Sequence, residues 1–426
     1  MDERGAGPVA WHVLEGVPAG QEEVPGLLRA LVTPGQRQRS WRRLEDRLGW
    51  RTESPLFAQA VAHLFVLLPQ LDDRRLRQVL AFLAMRGHGA CRRSVGVHRG
   101  AYELFTNAWP QVLPLIPHRA AGVRTGAAWV LRSIRCTEPA ALDALRRRAA
   151  VEDDPTALVS QLLAVGELSQ DREWLLPWLD HGHPPVALAA ARGVLAPGGA
   201  ATADGAAGRA VARGLAATGT PGLTDVPWWP LGHEAVGHFA KLAAPYPDES
   251  AALLEAGAGH RHTDVRRAAV LAAGARLGYW RDRAPELWEA VAAGLGDEPA
   301  VASASVEVLA DGGRAAAPYA DLLVRHVERS GGVTRPTVDA DLAVRALVGM
   351  DDERAAGWYV ARLGSHWLDT PPLPARWAPQ LLPVFRRLLT ADSRQHHVVS
   401  RILRTLAEWG PEAAAAVPEL VGLLST

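Results

Sequence analysis

A short motif returns along this chain at intervals of about 35 residues, the length of one pair of helices. Its sharpest copy is the segment DVRRAAVLA, which runs from Asp264 to Ala272. Weaker copies lie around Val123, Pro185-Val186, Pro299–Val301, Ala343–Arg345 and His397–Val399. Val123 and Leu158 are 35 residues apart, and Val265 and Val301 are 36 apart. Self-similarity at this spacing predicts a repeat array, in which each unit packs on its neighbours.

The motif has the period of a helix. Val265, Ala268, Ala269 and Ala272 stand at i, i+3, i+4 and i+7, which places them on one helix face. Their small side chains allow neighbouring helices to approach closely. Val, Ile, Thr and Tyr never form alternating runs, so strands have little support. The sequence therefore predicts an all-α fold, an α-solenoid of stacked antiparallel helix pairs.

Acidic residues mark the starts of several predicted helices. Asp264 precedes the sharpest copy, Asp154 precedes Pro155, and Asp297 comes shortly before Pro299. An aspartate in this position caps a helix by accepting hydrogen bonds from free backbone N–H groups. We expect these three aspartates to be N-caps.

The first half of the chain predicts five helix pairs. Breaks such as Pro34-Gly35 separate the two helices of a pair. The predicted pairs are 22–32 with 37–48, 55–68 with 72–85, 109–116 with 119–134, 140–150 with 155–168, and 173–179 with 185–195.

Two interruptions divide the array. Pro197–Gly208 is rich in small residues, which indicates a flexible loop or a hinge and predicts two domains, 1–196 and 209–426. Gly364–Trp377 is a Pro-rich insertion that carries His366, Trp367 and Trp377. Long loops on a solenoid tend to fall on one face, where binding residues are often found.

The chain resembles HEAT-repeat proteins, especially the bacterial type with phycobilisome-lyase-like HEAT repeats. The resemblance is carried by Asp264–Ala269 with Leu277-Gly278, by Leu406–Leu420, and by the opening stretch Trp11–Leu71. It implies stacked helix pairs with a concave surface built mainly from the second helix of each pair. It implies no reaction, because function depends on sites and not on the fold.

Composition excludes several classes of protein. Two cysteines, Cys91 and Cys136, cannot form a disulfide framework or a Cys-rich zinc site. His233 and His238 are five residues apart, about 140° around a helix, so one helix cannot present both to a metal. His181 with His183, His260 with His262, and His396 with His397 are interpreted as surface histidines near turns. We therefore expect no metal and no cofactor.

No catalytic motif was found, neither a Gly-rich phosphate loop with its Lys nor a Gly-x-Ser-x-Gly elbow. The sequence also has no signal peptide at its start and no apolar stretch long enough to cross a bilayer. We therefore expect a cytoplasmic protein with no membrane contact.

Fifteen tryptophans are many for this length. Most stand at helical spacing beside leucines, which favours packing in the core and between repeats. Trp228, Trp229 and Trp367 instead lie in Pro-flanked, loop-like contexts. Because Trp and Arg dominate interface hot spots, these three are the predicted exposed anchors.

The first third of the chain is basic. Residues 1–150 carry 22 arginines against 13 acidic residues, although the whole chain has no net charge. Arg39, Arg43 and Arg47 follow one another at i, i+4 and i+8 beside an apolar stripe that includes Trp41. Such a stripe can contact phosphate, although a charged stripe is more often a solvated helix face. These arginines are predicted binding residues, with nucleic acid as an alternative partner.

Three functions remain open. The leading hypothesis is a non-catalytic scaffold that binds a protein or peptide along its concave face. The second is a HEAT-like DNA glycosylase acting on alkylated bases, with Asp180, Asp282 or Asp369 as the carboxylate beside a tryptophan. The third is a biosynthetic enzyme with a Trp-lined pocket for a small molecule.

Overall fold

The computed structural model describes residues 23–33, 37–48, 55–92, 99–169, 171–196, 204–224, 235–280, 285–329, 338–363, 371–390 and 396–424. Within those ranges every regular element is a helix and no strand occurs. The all-α class predicted from the sequence is therefore confirmed. The chain divides into two compact units, an N-terminal unit of residues 1–201 and 221–232 and a C-terminal unit of residues 202–220 and 233–426.

The helices of the N-terminal unit follow the predicted pairs closely. They are α1 (Val24–Val32), α2 (Arg37–Leu48), α3 (Pro55–Leu67), α4 (Asp73–Arg92), α5 (Arg99–Asn107), α6 (Trp109–Val112), α7 (Ala121–Ser133), α8 (Pro139–Ala149), α9 (Pro155–Leu168) and α10 (Pro184–Leu195). The sequence did not predict α5, and α4 extends beyond its predicted end. A 3₁₀ helix, Glu173–Trp178, replaces the α-helix expected before α10.

The C-terminal unit continues the same alternation. Its helices are α11 (Ala206–Thr224), whose last turn is assigned to the N-terminal unit, then α12 (Ala235–Ala243), α13 (Pro247–Gly257), α14 (Thr263–Trp280), α15 (Pro285–Ala293), α16 (Pro299–Gly312), α17 (Ala320–Arg329), α18 (Val338–Met350), α19 (Arg354–Arg362), α20 (Ala378–Thr390), α21 (His396–Trp409) and α22 (Val417–Leu424). Short 3₁₀ helices precede α17, α20 and α22.

The second helices of successive pairs pack side by side within each unit. In the N-terminal unit α4, α7, α9 and α10 form this layer, and in the C-terminal unit α12, α14, α16 and α18 form it. The layer is tight because small residues face each other. A Cβ added at Gly166 of α9 would lie 2.7 Å from the Cα of Gly193 in α10. This side-by-side order is that of an α-solenoid with HEAT-like repeats.

Arginine–carboxylate pairs join neighbouring repeats. Arg124 of α7 binds Glu152, 28 residues ahead, and Arg266 of α14 binds Asp297, 31 residues ahead. Arg345 binds Asp311, 34 residues behind it in α16. The two partners of each pair are therefore separated along the sequence by roughly one repeat. In each of these pairs the two partners belong to adjacent repeats.

The structure corrects two of the three predicted N-caps. Asp154 caps α9 as predicted, since its carboxylate accepts from the Ala157 N–H at 2.9 Å. Asp264 is not a cap, because α14 already begins at Thr263. Asp297 is not one either, because Glu298 is the cap residue of α16. The Asp297 carboxylate is instead bound to Arg266 of the preceding repeat.

The first predicted interruption, Pro197–Gly208, ends inside a helix. Of Pro197–Gly208, residues 197–203 lie outside the described ranges, whereas Gly208 already belongs to α11 and its N–H is bound to the buried Glu249 carboxylate. The end of this segment is therefore neither a loop nor a hinge. The predicted domains 1–196 and 209–426 remain a prediction.

The described end of the Pro-rich insertion at 364–377 lies in the core. Trp377 is 1% exposed and Leu373 is 4% exposed. The Trp409 indole N–H donates to the Leu373 carbonyl at 2.8 Å. This part of the insertion therefore closes the core of the C-terminal unit and does not form a surface loop.

Candidate docking groove of the C-terminal unit

The sequence-predicted anchors are only partly within the described residues. Trp228, Trp229 and Trp367 lie outside those ranges, as does the side chain of Arg39. Arg43 and Arg47 are exposed on α2, and both donate to the carboxylate of Glu23. Their hydrogen bonds lower the pKa of Glu23, so this carboxylate stays ionised and offsets part of their charge. A binding role for these residues remains a prediction.

The tryptophans with described side chains serve mainly as packing residues, as the sequence predicts. Trp41, Trp288, Trp377 and Trp409 are buried. The others with described side chains, Trp109, Trp129, Trp174, Trp178 and Trp358, are partly buried. No fully exposed tryptophan therefore occurs among the side chains that the structure describes.

An open groove runs between two first helices of the C-terminal unit, α15 and α17. Its volume is about 960 Å³. The groove is lined by Glu289, Ala292, Ala293, Leu295, Gly296, Tyr319, Leu322, Arg325, Glu328 and Arg329. No local sequence pattern marks this groove, because its two walls are contributed by residues about 35 positions apart.

The floor of the groove is apolar. Ala292 and Leu295 are buried at the end of α15, whereas Leu322 of α17 is 38% exposed. Tyr319 stacks on Trp288, with ring centroids 6.4 Å apart and planes 27° apart. A partner in the groove would therefore cover a leucine that is now open to water, and would gain apolar contact area.

The walls carry charges of both signs. Glu289 lies on the α15 wall, and Arg325 and Arg329 lie one turn apart on the α17 wall. All three are exposed. Within the described residues none of them forms an ion pair, and Arg329 donates only to the Arg325 carbonyl. Their charges are thus available to a bound molecule.

The groove has a rigid frame. His326 Nδ1 lies 2.9 Å from the Leu295 carbonyl, a hydrogen bond that ties α17 to the turn after α15. Trp288 packs against Gly312, where a Cβ would lie only 2.2 Å from the indole ring. The first contact joins the two walls directly, and the second holds α15 against the end of α16, so the groove is formed without a ligand. Such a preformed groove binds with less loss of conformational entropy than one that must be ordered.

The side chains that line the groove are suited to binding another molecule. The lining combines apolar contact with a carboxylate on the α15 wall, and with two guanidinium groups and the Glu328 carboxylate on the α17 wall. Among the described residues, no group of three or more His, Cys, Asp or Glu side chains is placed to hold a metal ion. In the same part of the chain, no helix is long and apolar enough to cross a bilayer.

The histidine pairs noted in the sequence have a structural role in turns. His118, His181 and His260 each precede a second helix, and their Nδ1 atoms accept from the backbone N–H two residues ahead at 3.0–3.1 Å. The neutral ring in this arrangement carries its proton on Nε2. The interpretation of the 181–183 and 260–262 pairs as histidines near turns is therefore confirmed.

Comparison with known proteins gives likeness of fold only. No family model and no curated protein matches the chain. Among solved structures, Kap121p bound to Nup53p aligns with a TM-score of 0.45 and 11% identity, over 96% of this chain and 52% of that one. Importin beta aligns with a TM-score of 0.45 and 13% identity, over 93% and 61%. An engineered protein aligns with a TM-score of 0.36 and 16% identity, over 91% and 98%.

The chain spans about half the length of the Kap121p structures that it matches. The assignment of a HEAT-like solenoid therefore stands on the helices of this chain itself, on their pairing and on the contacts between repeats. The finer resemblance to phycobilisome-lyase-like repeats remains a prediction.

Proposed function

We propose that this protein is a non-catalytic scaffold that binds a segment of another protein in the groove between α15 and α17. The observation that carries the proposal is the exposed Leu322 on an apolar floor, with exposed charged side chains along both walls. Small-molecule sites are typically enclosed on most sides, whereas this groove is open along its length. Its form suits an extended or helical peptide.

The wall charges indicate the kind of segment. An amphipathic helix lays its apolar face into such a groove and presents charged residues along both edges. A basic residue of the partner would face Glu289, and an acidic one would face Arg325. The α15 wall carries one carboxylate, whereas the α17 wall carries two guanidinium groups and the Glu328 carboxylate. The net charges of the two walls therefore favour one orientation of the bound helix.

The predicted concave site is a separate surface from this groove. The family resemblance implies binding by the second helices, whereas α15 and α17 are first helices of their pairs. Binding on the concave face remains a prediction, and the groove adds a site on the first-helix side. For the glycosylase hypothesis, Asp180 is exposed near Trp178, and Asp282 and Asp369 lie outside the described residues.

The test uses a phage-displayed library of helical peptides selected on the full chain. We expect the selected peptides to bind the wild-type protein and to bind Leu322→Asp at least tenfold more weakly, since a buried charge without a partner opposes binding. Leu403→Asp is the matched control, because Leu403 is 41% exposed in α21, outside the groove. Peptide affinities would be measured by fluorescence anisotropy.

A charge exchange tests the orientation. Arg325→Glu should weaken the best peptide, and replacing the acidic residue of that peptide by Lys should restore binding. The proposal would be wrong if the selection enriched no binder, or if Leu322→Asp and Leu403→Asp had equal effects. Circular dichroism would confirm that both variants fold.

A further inference from the structure

A second surface lies in the N-terminal unit, where the 3₁₀ helix Glu173–Trp178 takes the place of a first helix. This helix is short and bears two tryptophans, four residues apart. Trp174 and Trp178 are both partly buried, and Leu176 between them is 39% exposed.

The rings form a continuous aromatic surface. The centroids of Trp174 and Trp178 are 6.1 Å apart with planes tilted by 48°. The His181 ring lies 6.0 Å from Trp178 at a tilt of 37°. The three rings are called the tryptophan platform below. Neither indole is fully buried, so part of each tryptophan side chain is accessible to water.

Contacts with α9 and α10 hold the platform in place. Leu175 is fully buried, and a Cβ at Gly193 would lie 2.4 Å from its side chain. Arg172 donates to the carbonyl of Gly166 in α9 at 2.7 Å, and also to the carbonyl of Gly193 in α10. The His181 ring is fixed by the hydrogen bond from the His183 N–H to its Nδ1. The rings are therefore preorganised.

Carboxylates flank the platform on both sides in sequence. Glu173 and Asp180 are the flanking residues, and both are exposed. Within the described residues Glu173 forms no ion pair, so its charge acts on whatever approaches the rings. Of the nearby arginines, Arg146 is paired with Asp171 at 3.2 Å, and Arg172 is directed at the carbonyls of Gly166 and Gly193. Aromatic faces and carboxylates together attract a cation.

We propose that the tryptophan platform binds an arginine side chain of a partner protein. The guanidinium plane would stack on the open indole surface, where the ring quadrupole attracts positive charge. Glu173 would supply a carboxylate at the edge of the same surface. An uncharged apolar or proline-rich segment would use the rings but would gain nothing from this carboxylate, so the charge favours arginine.

The probe is a short peptide containing two arginines, added to the full chain labelled with 5-fluorotryptophan. Fluorine NMR reports each tryptophan separately, and the Trp174 and Trp178 signals are assigned from Trp→Phe variants. We expect the arginine peptide to shift these two signals and to leave the buried Trp377 signal unchanged. The same peptide with citrulline in place of arginine, which keeps the shape but loses the charge, should bind at least fivefold more weakly.

Substitutions at Trp178 and Glu173 measure separately how much the aromatic ring and the carboxylate contribute to binding. Trp178→Leu should abolish the shift of the Trp174 signal, and Trp178→Phe should retain part of it, because phenylalanine has a weaker quadrupole. Glu173→Gln should weaken binding and reduce its dependence on salt. Trp109→Phe is the control, since Trp109 is also partly buried and lies in the same unit.

Three results would overturn the proposal. Equal binding of the citrulline peptide would show that the surface is only apolar. Shifts confined to other tryptophans would place binding elsewhere. If 7-methylguanosine, a cationic nucleoside, shifted the platform signals while the arginine peptide did not, the ligand would be a modified base. None of these results bears on the groove between α15 and α17, which lies in the other unit.

Discussion

The same turn occurs in both units with very different surroundings. In the N-terminal unit Arg124 donates to the His118 carbonyl at 2.9 Å and to Glu152 of the next repeat at 2.7 Å. In the C-terminal unit Arg266 donates to the His260 carbonyl at 2.6 Å and to Asp297 of the next repeat at 2.7 Å. Each arginine follows the valine of a copy of the repeated motif. The bond pattern is thus a property of the repeat.

The two pairs differ in burial. The side chain of Glu152 is 0% exposed, and it also accepts from Arg148, from Gln161 and from the Asp154 N–H. The side chain of Asp297 is 25% exposed. The same geometry therefore joins repeats in both units. Breaking the Arg124–Glu152 pair leaves a buried charge, whereas breaking the Arg266–Asp297 pair leaves partly solvated charges. Burial, and not the motif, sets how much each link stabilises the stack.

The largest effect is expected from Glu152→Ala. It leaves the guanidinium groups of Arg124 and Arg148 without their shared carboxylate, and Arg124 is buried. Removing one partner of a buried pair costs about 3–5 kcal/mol. Hydrogen exchange of the α7 and α9 amides should accelerate accordingly. The matched variant Asp297→Ala should cost only about 1 kcal/mol at α14 and α16, because its pair is partly solvated.

Equal losses in the two variants would contradict this comparison, since they would show that burial does not control the strength of the link. The double variant Arg124→Met with Glu152→Met provides a further control. Replacing both members of a buried pair by apolar residues is often nearly neutral. We therefore expect this variant to recover the part of the stability that Glu152→Ala loses through the unpaired Arg124, whereas Arg148 and the buried Gln161 still lack their acceptor.

The pH dependence of the N-terminal unit should follow the same carboxylate. Burial alone would raise the pKa of Glu152, but hydrogen bonds from Arg124, Arg148, Asp154 and Gln161 outweigh it and lower the pKa from 4.5 to about 2. The unfolded chain therefore binds the proton more tightly, and stability falls as the pH drops from about 4.5 to about 2. The loss is about 3 kcal/mol from this group.

Hydrogen exchange of α9 between pH 5 and 2 would measure this loss after correction for intrinsic exchange. Glu152→Gln cannot ionise, so its α9 should show a flatter pH profile than the wild type. A wild-type profile with the same slope as that of Glu152→Gln would show that Glu152 does not control acid stability. The pKa of Asp297 is lowered mainly by its hydrogen bond from Arg266, so α14 and α16 should show a similar but weaker trend.

The sequence predicts the stacking but not the links between repeats. Spaced Val and Ala residues such as Val265 and Ala268 reveal the helix face that is buried, because this face repeats every few residues. The partner of Arg124 lies 28 residues ahead in a turn, where no local pattern marks Glu152. Asp297 was therefore interpreted as a cap, which is the local role of an acid before a helix, whereas its main bond is to another repeat.

The candidate sites are not predicted from the sequence either, because their residues come together only when the helices stack. The groove depends on Leu322 and Glu289, which are unremarkable in sequence and meet only because α15 and α17 stack. Trp174 and Trp178 stand at helical spacing, which predicts packing alone, and only the structure shows that the two rings lie next to each other and are partly exposed.

The ends of two second helices offer a finer comparison between the units. Arg135 follows α7 and Asp351 follows α18, and both have positive φ angles, 55° and 65°. In each turn the next residue donates its N–H to a helix carbonyl five residues back, Cys136 to Leu131 and Asp352 to Leu347, each at 3.0 Å. This is the Schellman arrangement, in which glycine is preferred at the position of positive φ.

The smallest effect is expected from glycine at these two ends. Arg135→Gly should stabilise the N-terminal unit by about 0.5–1 kcal/mol, because Arg135 is exposed and a non-glycine residue is strained at this φ. Asp351→Gly relieves the same strain but removes the carboxylate that Arg376 binds at 2.6 Å, so its net effect should be near zero. Thermal unfolding of the two variants measures the difference. An equal gain in both would mean that the bond to Arg376 contributes nothing, and that the two helix ends differ in sequence but not in energy.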